Sequence, residues 1–257
     1  MPILEVQNLS KKFGGVEALS QVDLVVEPGE VIGVIGPNGA GKSTFFNLLS
    51  GVMKPSGGKV VFQGRDVTGM KPHAIAKRGL VRTFQSTLLF SDLSVFDNIL
   101  VASHIPARAN LVADVIGLPV VRHRESETRQ RAEDIIELAG LTAVRSKLAR
   151  DLPHGHQRAL GVAVALATDP KLLCLDEPVT GMNAEEIEAM MGFIERIRLQ
   201  GITILLVEHA MRVVMSVCER IMVLNFGRKI AEGTCNEVQC DTAVIEAYLG
   251  RPDDDAA

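Results

Sequence analysis

Short apolar segments recur along the chain and are separated by segments of helical periodicity. Alternation of apolar and polar residues predicts strands over residues 3–9 and 22–26. Residues 31–35 are apolar on both faces, which predicts a buried central strand. Three further apolar segments predict strands at residues 172–175, 202–206 and 221–224. Residues 184–198 between two of them have helical spacing, so the pattern predicts an α/β fold with a mostly parallel sheet.

The middle of the chain has a different pattern, without strand-like segments. Over residues 124–139, Ala132, Ile135, Ile136 and Ala139 recur at helical spacing, and charged residues fill most other positions. This pattern predicts a helical subdomain inserted into the α/β core. We therefore expect one domain over residues 1–250, followed by a short acidic tail at 251–257. Within the domain, residues 1–93 and 165–250 form the core and residues 94–164 form the helical subdomain.

Composition excludes several classes of protein. The chain has 257 residues, 47% of them hydrophobic and 23% charged, which excludes disorder for its bulk. The composition argues against a nucleic-acid partner. The net charge of −4 does not favour binding to phosphates, and a chain with no Trp and a single Tyr has few rings for base stacking. No run of 18 apolar residues and no signal peptide pattern are found, so we expect a soluble or peripheral protein.

Two motifs indicate nucleotide chemistry. Residues 36–43 read Gly-Pro-Asn-Gly-Ala-Gly-Lys-Ser and follow the predicted central strand, the pattern of a loop whose N–H groups bind phosphate. In that pattern Lys42 reaches the β- and γ-phosphates and Ser43 binds Mg²⁺. The strand at 172–175 runs into Asp176 and Glu177, where a carboxylate near Mg²⁺ and a general base for water are expected.

The order of these and three further motifs resembles the ATP-binding-cassette ATPases over nearly the whole chain. The further motifs are Gln85 after an apolar strand, Leu-Pro-His-Gly-His-Gln-Arg at 152–158, and His209 after the strand at 202–206. The resemblance implies a RecA-like P-loop NTPase core with a mostly parallel sheet. It also implies an N-terminal antiparallel β subdomain and an inserted α-helical subdomain that carries the signature motif.

The resemblance assigns roles residue by residue. It implies that ATP is bound by Phe13, which stacks on adenine, and by Gly36, Asn38, Gly39, Ala40, Gly41, Lys42, Ser43 and Thr44. Catalysis falls to Glu177, His209, Gln85 and Lys42, and Mg²⁺ to Ser43, Gln85 and Asp176. Two chains would pack head to tail, with Pro153, Gly155, His156 and Asn183 of one chain meeting the ATP of the other.

The signature region departs from the family pattern. Pro153, His154 and His156 replace the usual Ser, Gly and Gln, and Asn183 replaces an Asp. Arg, Glu and Arg of the following helix are replaced by Ala159, Gly161 and Val164. Whether these changes lower ATP turnover is left open.

Several stretches resemble the ATPase subunits of branched-chain amino acid importers, among them residues 176–183 and the closing residues 244–250. That branch implies two transmembrane permeases, a secreted or periplasmic binding protein and a place on the cytoplasmic face of the inner membrane. Apolar residues within 84–98 would receive a helix of the permease.

Several questions stay open at this stage. The transported solute is not specified, and it could also be urea or an amide. The chain could pair with itself or with a related ATPase. Three alternative functions are an exporter or lipid transporter, a non-transport cassette ATPase and a regulatory ATP binder.

Overall fold

The computed structural model describes residues 1–83, 89–104 and 119–249. Its larger sheet has six strands in the order β10-β9-β3-β8-β7-β6. They are β3 (Val31–Ile35), β6 (Leu80–Arg82), β7 (Leu172–Asp176), β8 (Thr203–Val207), β9 (Arg220–Asn225) and β10 (Arg228–Gly233). All neighbours in this sheet are parallel except β10, which is antiparallel to β9. The predicted mostly parallel sheet is confirmed.

A second, antiparallel sheet lies at the start of the chain and has the order β2-β1-β4-β5. Its strands are β1 (Leu4–Phe13), β2 (Val16–Val26), β4 (Gly57–Phe62) and β5 (Arg65–Asp66). Both predicted strands were too short, because β1 and β2 continue as an exposed hairpin whose residues need not alternate. This sheet is the antiparallel β subdomain that the resemblance implied.

Helices flank the strands and form the inserted lobe. The helices of the core are α1 (Lys42–Leu49), α2 (Pro72–Ala76), α6 (Ala184–Leu199), α7 (Met211–Val217), α8 (Cys235–Cys240) and α9 (Thr242–Leu249). The lobe contains α3 (Val95–Ser103) and α4 (Pro119–Leu138), with α5 (His154–Ala167) joining it to β7. The sequence predicted a helix over residues 124–139. Helix α4 begins five residues earlier than predicted, at Pro119, and ends one residue earlier, at Leu138. Within the part of the chain that is described, no helix is long and apolar enough to cross a membrane.

Two hydrophobic cores lie on the opposite faces of the larger sheet, which explains why β3 is apolar throughout. All five β3 residues are buried. Val31 and Ile35 belong to the core that includes residues of the helical lobe, whereas Ile32 and Val34 face the core shared with the antiparallel sheet and α1. The lobe and the α/β core therefore share one hydrophobic core. The limits at 94 and 164 remain a prediction, and α5 runs across the second.

Candidate functional site

The phosphate loop connects the carboxyl end of β3 to the first turn of α1. Parallel strands place their carboxyl ends at one edge of a sheet, where ligands of α/β proteins bind. At Gly36 (φ 152°) a Cβ would lie 2.1 Å from the carbonyl oxygen of Leu224, so only glycine fits there. The loop closes through the Ala40 N–H, which donates to the Pro37 carbonyl oxygen at 3.1 Å, and α1 begins at Lys42.

Lys42 is held inside this loop. Its ammonium donates to the carbonyl oxygens of Gly36 at 2.6 Å and Pro37 at 3.0 Å, and only 9% of the residue is exposed. Burial lowers the pKa of the Lys42 ammonium, and the Glu177 carboxylate acts in the opposite direction. A cavity of about 340 Å³ opens beside the loop and is lined in part by Gly39, Gly41, Lys42, Ser43 and Thr44. A cationic group and helix N–H donors thus face a cavity that can accept an anion.

Asp176 ends β7 at the same edge of the sheet and forms a buried ion pair. Arg82, at the end of the neighbouring strand β6, donates to Asp176 Oδ2 at 2.7 Å, and both side chains are less than 10% exposed. The guanidinium also donates to Asn47 Oδ1 at 2.7 Å and to Ser50 Oγ at 3.2 Å, both in or just after α1. Sequence analysis missed Arg82, because nothing in the sequence pairs residues 94 positions apart.

Glu177 follows directly and sits in an unusual backbone conformation, with φ at +48°. Its N–H donates to the Val207 carbonyl oxygen at 2.9 Å, which fixes this residue to the end of β8. The Thr180 hydroxyl donates to Glu177 Oε2 at 3.3 Å, and His209 Nδ1 lies 4.0 Å from Oε1. A partly buried carboxylate and an exposed imidazole therefore face one another at the edge where Lys42 and Asp176 lie.

Glu208, between β8 and His209, points into the protein and is fully buried. One carboxylate oxygen accepts the Val179 N–H at 3.0 Å, and the other accepts the N–H groups of His209 at 3.1 Å and Ala210 at 3.4 Å. Burial raises the pKa of Glu208, although these N–H donors and His209 oppose the rise. One side chain thus ties the loop after Glu177 to the loop that carries His209.

The signature residues and Asn183 form a second group, at the amino ends of α5 and α6. Pro153 is the N-cap residue of α5. A Cβ at Gly155 would lie 2.5 Å from Glu186 Oε1, so Gly155 packs directly on α6. Asn183 Oδ1 accepts the Glu186 N–H at 3.0 Å, and Glu186 Oε2 accepts the Asn183 N–H at 3.0 Å. Asn183 therefore caps α6 as an Asp would.

Three further residues of the predicted site are Phe13, His156 and Gln85. Phe13 lies at the end of β1 and is 46% exposed, with the Lys11 ammonium 5.0 Å from the centre of its ring. His156 is partly buried, and its Nδ1 has no hydrogen-bond partner among the described residues. Gln85 lies outside the described residues. The structure thus brings Lys42, Asp176, Glu177 and His209 together, and gathers the signature residues with Asn183 at α6.

Known proteins share these sequence features. The "ABC transporter" family model matches residues 19–180, and a "Branched-chain amino acid ATP-binding cassette transporter" model matches residues 228–254. One relative is the high-affinity branched-chain amino acid transport ATP-binding protein BraF of Pseudomonas aeruginosa. The two sequences are 40% identical over a region that covers 97% of this chain and 98% of BraF. LivG of Escherichia coli K12, which bears the same description, is 39% identical with the same coverage.

A solved structure shares the fold as well. The crystal structure of the ADP conformation of an ATP-binding cassette from an ABC transporter superposes with a TM-score of 0.84 at 31% identity, covering 98% of this chain and 100% of the other. The family match, the relatives and the converging phosphate loop and carboxylates agree. The chain therefore belongs to the ABC transporter family, as an ATP-binding-cassette ATPase.

Proposed function

We propose that this chain is the ATP-hydrolysing subunit of an importer for branched-chain amino acids. The observation that carries this proposal is that relatives named as branched-chain amino acid transport ATP-binding proteins are 39–40% identical over 97% of the chain. A relative from lipopolysaccharide export, LptB of Haemophilus influenzae, is 32% identical over the same share. The higher identity and the match at residues 228–254 favour import over export.

The phosphate loop would hold the triphosphate of ATP. N–H groups from Gly39 to Thr44 and the start of α1 supply donors, with Gly36, Asn38, Ala40 and Gly41 shaping the loop. Lys42 now donates to two carbonyl oxygens of its own loop. Phosphate oxygens are stronger, charged acceptors, so we expect the ammonium to turn to the nucleotide. Phe13 is exposed and free to stack on the adenine.

Mg²⁺ would bind between the phosphate loop and β7. The Ser43 hydroxyl and the Asp176 carboxylate, together with Gln85, are oxygen donors of the kind that this ion prefers. Arg82 fixes the orientation of Asp176 through one carboxylate oxygen, which suits a group that must receive a small ion in a defined place. When bound, the ion neutralises charge on the phosphate oxygens.

Glu177 is the proposed general base and His209 the proposed contact to the γ-phosphate. Glu177 is anchored through its backbone to Val207, and its side chain lies within reach of His209. Because a general base must be positioned before its pKa matters, this anchoring supports the assignment. Glu208 acts as a positioning residue, since it holds the backbone of both loops.

A second cassette chain would complete each site. Within one chain, Gly155 contacts Glu186, and the ring of His154 lies beside Gly181, where an added Cβ would be 3.2 Å from it. The signature residues thus contact α6 and the loop before it, and a partner's ATP would meet them at the amino end of α5. Pro153 has no hydroxyl, so the N–H groups near Gly155 and the helix dipole would bind the γ-phosphate, with His156 as an additional donor.

The permeases would bind at the segment 84–98, of which the structure describes residues 89–98. Phe90 is 57% exposed there, whereas Leu89 and Phe96 pack on the core. The buried Asn98 side chain accepts the Phe90 N–H at 2.9 Å and donates to the Phe90 carbonyl oxygen at 3.1 Å. A loop that is held by these hydrogen bonds and presents one exposed aromatic side chain suits a permease helix. Such a subunit would lie on the cytoplasmic face of the inner membrane.

Reconstitution tests the whole proposal. The chain is co-purified with its membrane subunits, placed in proteoliposomes and supplied with the solute-binding protein of the same system. We expect ATP hydrolysis to rise, and labelled leucine, isoleucine or valine to accumulate, only with the binding protein and amino acid present. The Lys42→Ala chain is the control and should abolish both. Stimulation by urea, an amide or a lipid without any by these amino acids would contradict the proposed solute.

A further inference from the structure

The turn between β9 and β10 contains a residue that its local structure does not favour. Asn225 pairs with Arg228, so Phe226 and Gly227 form a two-residue hairpin turn. Both have positive φ, +44° and +75°. Turns of this kind favour Asn, Asp or Gly at both positions, and a bulky residue with positive φ is an outlier.

Phe226 gains little from packing within the chain to offset this conformation. It is 85% exposed, the highest value among the exposed large hydrophobic residues of the described part of the chain. Residues that break a local rule without a local gain are expected at functional sites, where the strain serves binding. The position of the ring therefore needs an explanation outside the hairpin.

The turn is fixed against the phosphate loop. The Gly227 N–H donates to the Ala40 carbonyl oxygen at 3.0 Å, and the Gly227 carbonyl oxygen accepts the Ser20 N–H at 2.8 Å. A Cβ at Gly227 would lie 2.7 Å from the Ala18 carbonyl oxygen, so the turn lies in close contact with β2 as well. Phe226 is thus held at a defined place beside the loop.

Phe226 lines the cavity of the phosphate loop itself. The residues that line this cavity of about 340 Å³ include Lys42, Ser43 and Thr44 of the phosphate loop, and also Val16, Glu17, Ala18 and Phe226. The phosphate-loop residues suit phosphate groups. Phe226 supplies an aromatic ring, which stabilises a flat or apolar group rather than an anion.

We propose that Phe226 is a further nucleotide-binding residue, which packs on the nucleoside part of the ATP whose phosphates occupy the loop, in addition to Phe13. This inference rests on the proposed assignment of the phosphate loop. It also explains the unfavourable conformation of Phe226. The turn is less stable with Phe226 than with Asn or Gly, but it presents an aromatic ring to the ligand.

The chain contains a matched control for this turn. Gln63 and Gly64 form the two-residue turn between β4 and β5, with Phe62 paired to Arg65 and φ values of +49° and +71°. Gln63→Asn and Phe226→Asn therefore make the same replacement in the same kind of turn, and only Phe226 lines the cavity. Phe226→Tyr keeps the ring.

Binding of ADP and of inorganic pyrophosphate is measured by competition against a fluorescent ADP analogue. We expect Phe226→Asn to weaken ADP binding roughly 5- to 100-fold, the range for loss of one aromatic contact to a base. Pyrophosphate binding should stay within about twofold. Both Asn variants should raise the thermal unfolding midpoint because they relieve the turn. Gln63→Asn and Phe226→Tyr should bind ADP as the wild type does.

Three results would overturn the proposal: unchanged ADP binding in Phe226→Asn, equal losses for ADP and pyrophosphate, or loss in Phe226→Tyr as large as in Phe226→Asn. The second result would show that the turn acts through the phosphate loop. A different result is expected if the phosphate-loop assignment itself is wrong. The Lys42→Ala variant would then still bind both ADP and pyrophosphate, whatever residue stands at position 226.

Discussion

Arg82 shows how one side chain can set the geometry of a nucleotide site without belonging to its motifs. The guanidinium reaches Asp176 from the adjacent strand and Asn47 and Ser50 from α1 or its end. It therefore joins the strand that ends in the carboxylates to the helix that follows the phosphate loop. A buried carboxylate needs such a partner, because an unpaired charge in this place is strongly unfavourable.

Arg82→Met should destabilise the protein by about 3–5 kcal/mol, since it leaves the Asp176 charge buried and unpaired. The double variant Arg82→Met/Asp176→Leu should recover most of that stability, because it removes both charges, and yet have no ATP turnover. Urea unfolding and ATPase assays measure the two effects. A loss below about 1 kcal/mol in the single variant would show that solvent or Lys42 satisfies Asp176 instead.

Glu177→Gln tests the general base, because the amide keeps the shape of the side chain but cannot accept a proton from water. We expect ATP affinity within about threefold of the wild type and turnover lower by roughly 10²–10⁴. Glu185→Gln, on the exposed first turn of α6, is the control and should leave turnover unchanged. Single-turnover assays with radiolabelled ATP separate the two quantities. Normal turnover in Glu177→Gln would assign the base to another residue.

Glu208 should make the stability of the protein depend on pH in a predictable direction. Burial raises the pKa of Glu208 above its ordinary value of 4.5. The native state then keeps a proton that the unfolded chain has released, so this contribution is full below the ordinary pKa and is lost as pH rises through the native pKa.

The unfolding free energy of the wild type minus that of Glu208→Gln should therefore fall as pH rises over that window, by at most about 1.4 kcal/mol per pH unit, and then level off. Urea unfolding of the two proteins from pH 4 to 8 measures this difference. A difference that grows with pH would mean that the three N–H donors outweigh burial.

The start of α5 carries Pro153, His154 and His156, the residues in which the signature motif departs from the family pattern. Helix α5 begins without a side-chain cap, and Gly155 packs on the Glu186 carboxylate that completes the capping box of α6. Any side chain at position 155 therefore disturbs α6 of the same chain, apart from any effect on a partner's nucleotide. The two effects need separate variants.

Gly155→Ala disturbs only the packing on Glu186, whereas Gly155→Asp also adds a negative charge where a partner's γ-phosphate would approach. Like charges at about 4 Å repel by roughly 4 kcal/mol at partial burial. We expect Gly155→Ala to keep turnover within about tenfold and Gly155→Asp to lose 10²-fold or more, with ATP binding to the phosphate loop of the same chain intact in both. Equal losses in the two would attribute the effect to α6 rather than to charge.

Across the fold, sequence periodicity predicted the elements that bury apolar faces. It found β3 and β7 because their residues are buried on both sides. It did not locate β10, an edge strand whose charged residues hide its pattern, or β4 and β5. Motifs, rather than periodicity, predicted Lys42 and Glu177 as site residues. Neither pointed to Arg82, Glu208 or Phe226, because Asp176, Val179 and the phosphate loop, which they contact or adjoin, lie in distant parts of the chain.

ATP turnover should require the assembly of two chains, since the proposed site is complete only when the phosphate loop of one chain meets the signature residues of another. The Lys42→Ala chain lacks a working phosphate loop but keeps its signature, and the Gly155→Asp chain has the reverse defect. Neither should hydrolyse ATP alone. In an equal mixture half of the dimers are mixed, and each mixed dimer has one intact site of two. Recovery should therefore approach about one quarter of the wild-type rate per chain, if the sites act independently.

Absence of recovery at every mixing ratio would have two explanations, which a second mixture separates. Adding Glu177→Gln to both chains slows hydrolysis, so an intact composite site should hold ATP and keep the mixed dimer closed. Size-exclusion chromatography with ATP would then detect a dimer in the mixture but not with either chain alone. A dimer without recovered turnover means that both sites must act together. If neither a dimer nor turnover were detected, a site shared between two chains would be contradicted. ATP would then have to be hydrolysed by groups of a single chain.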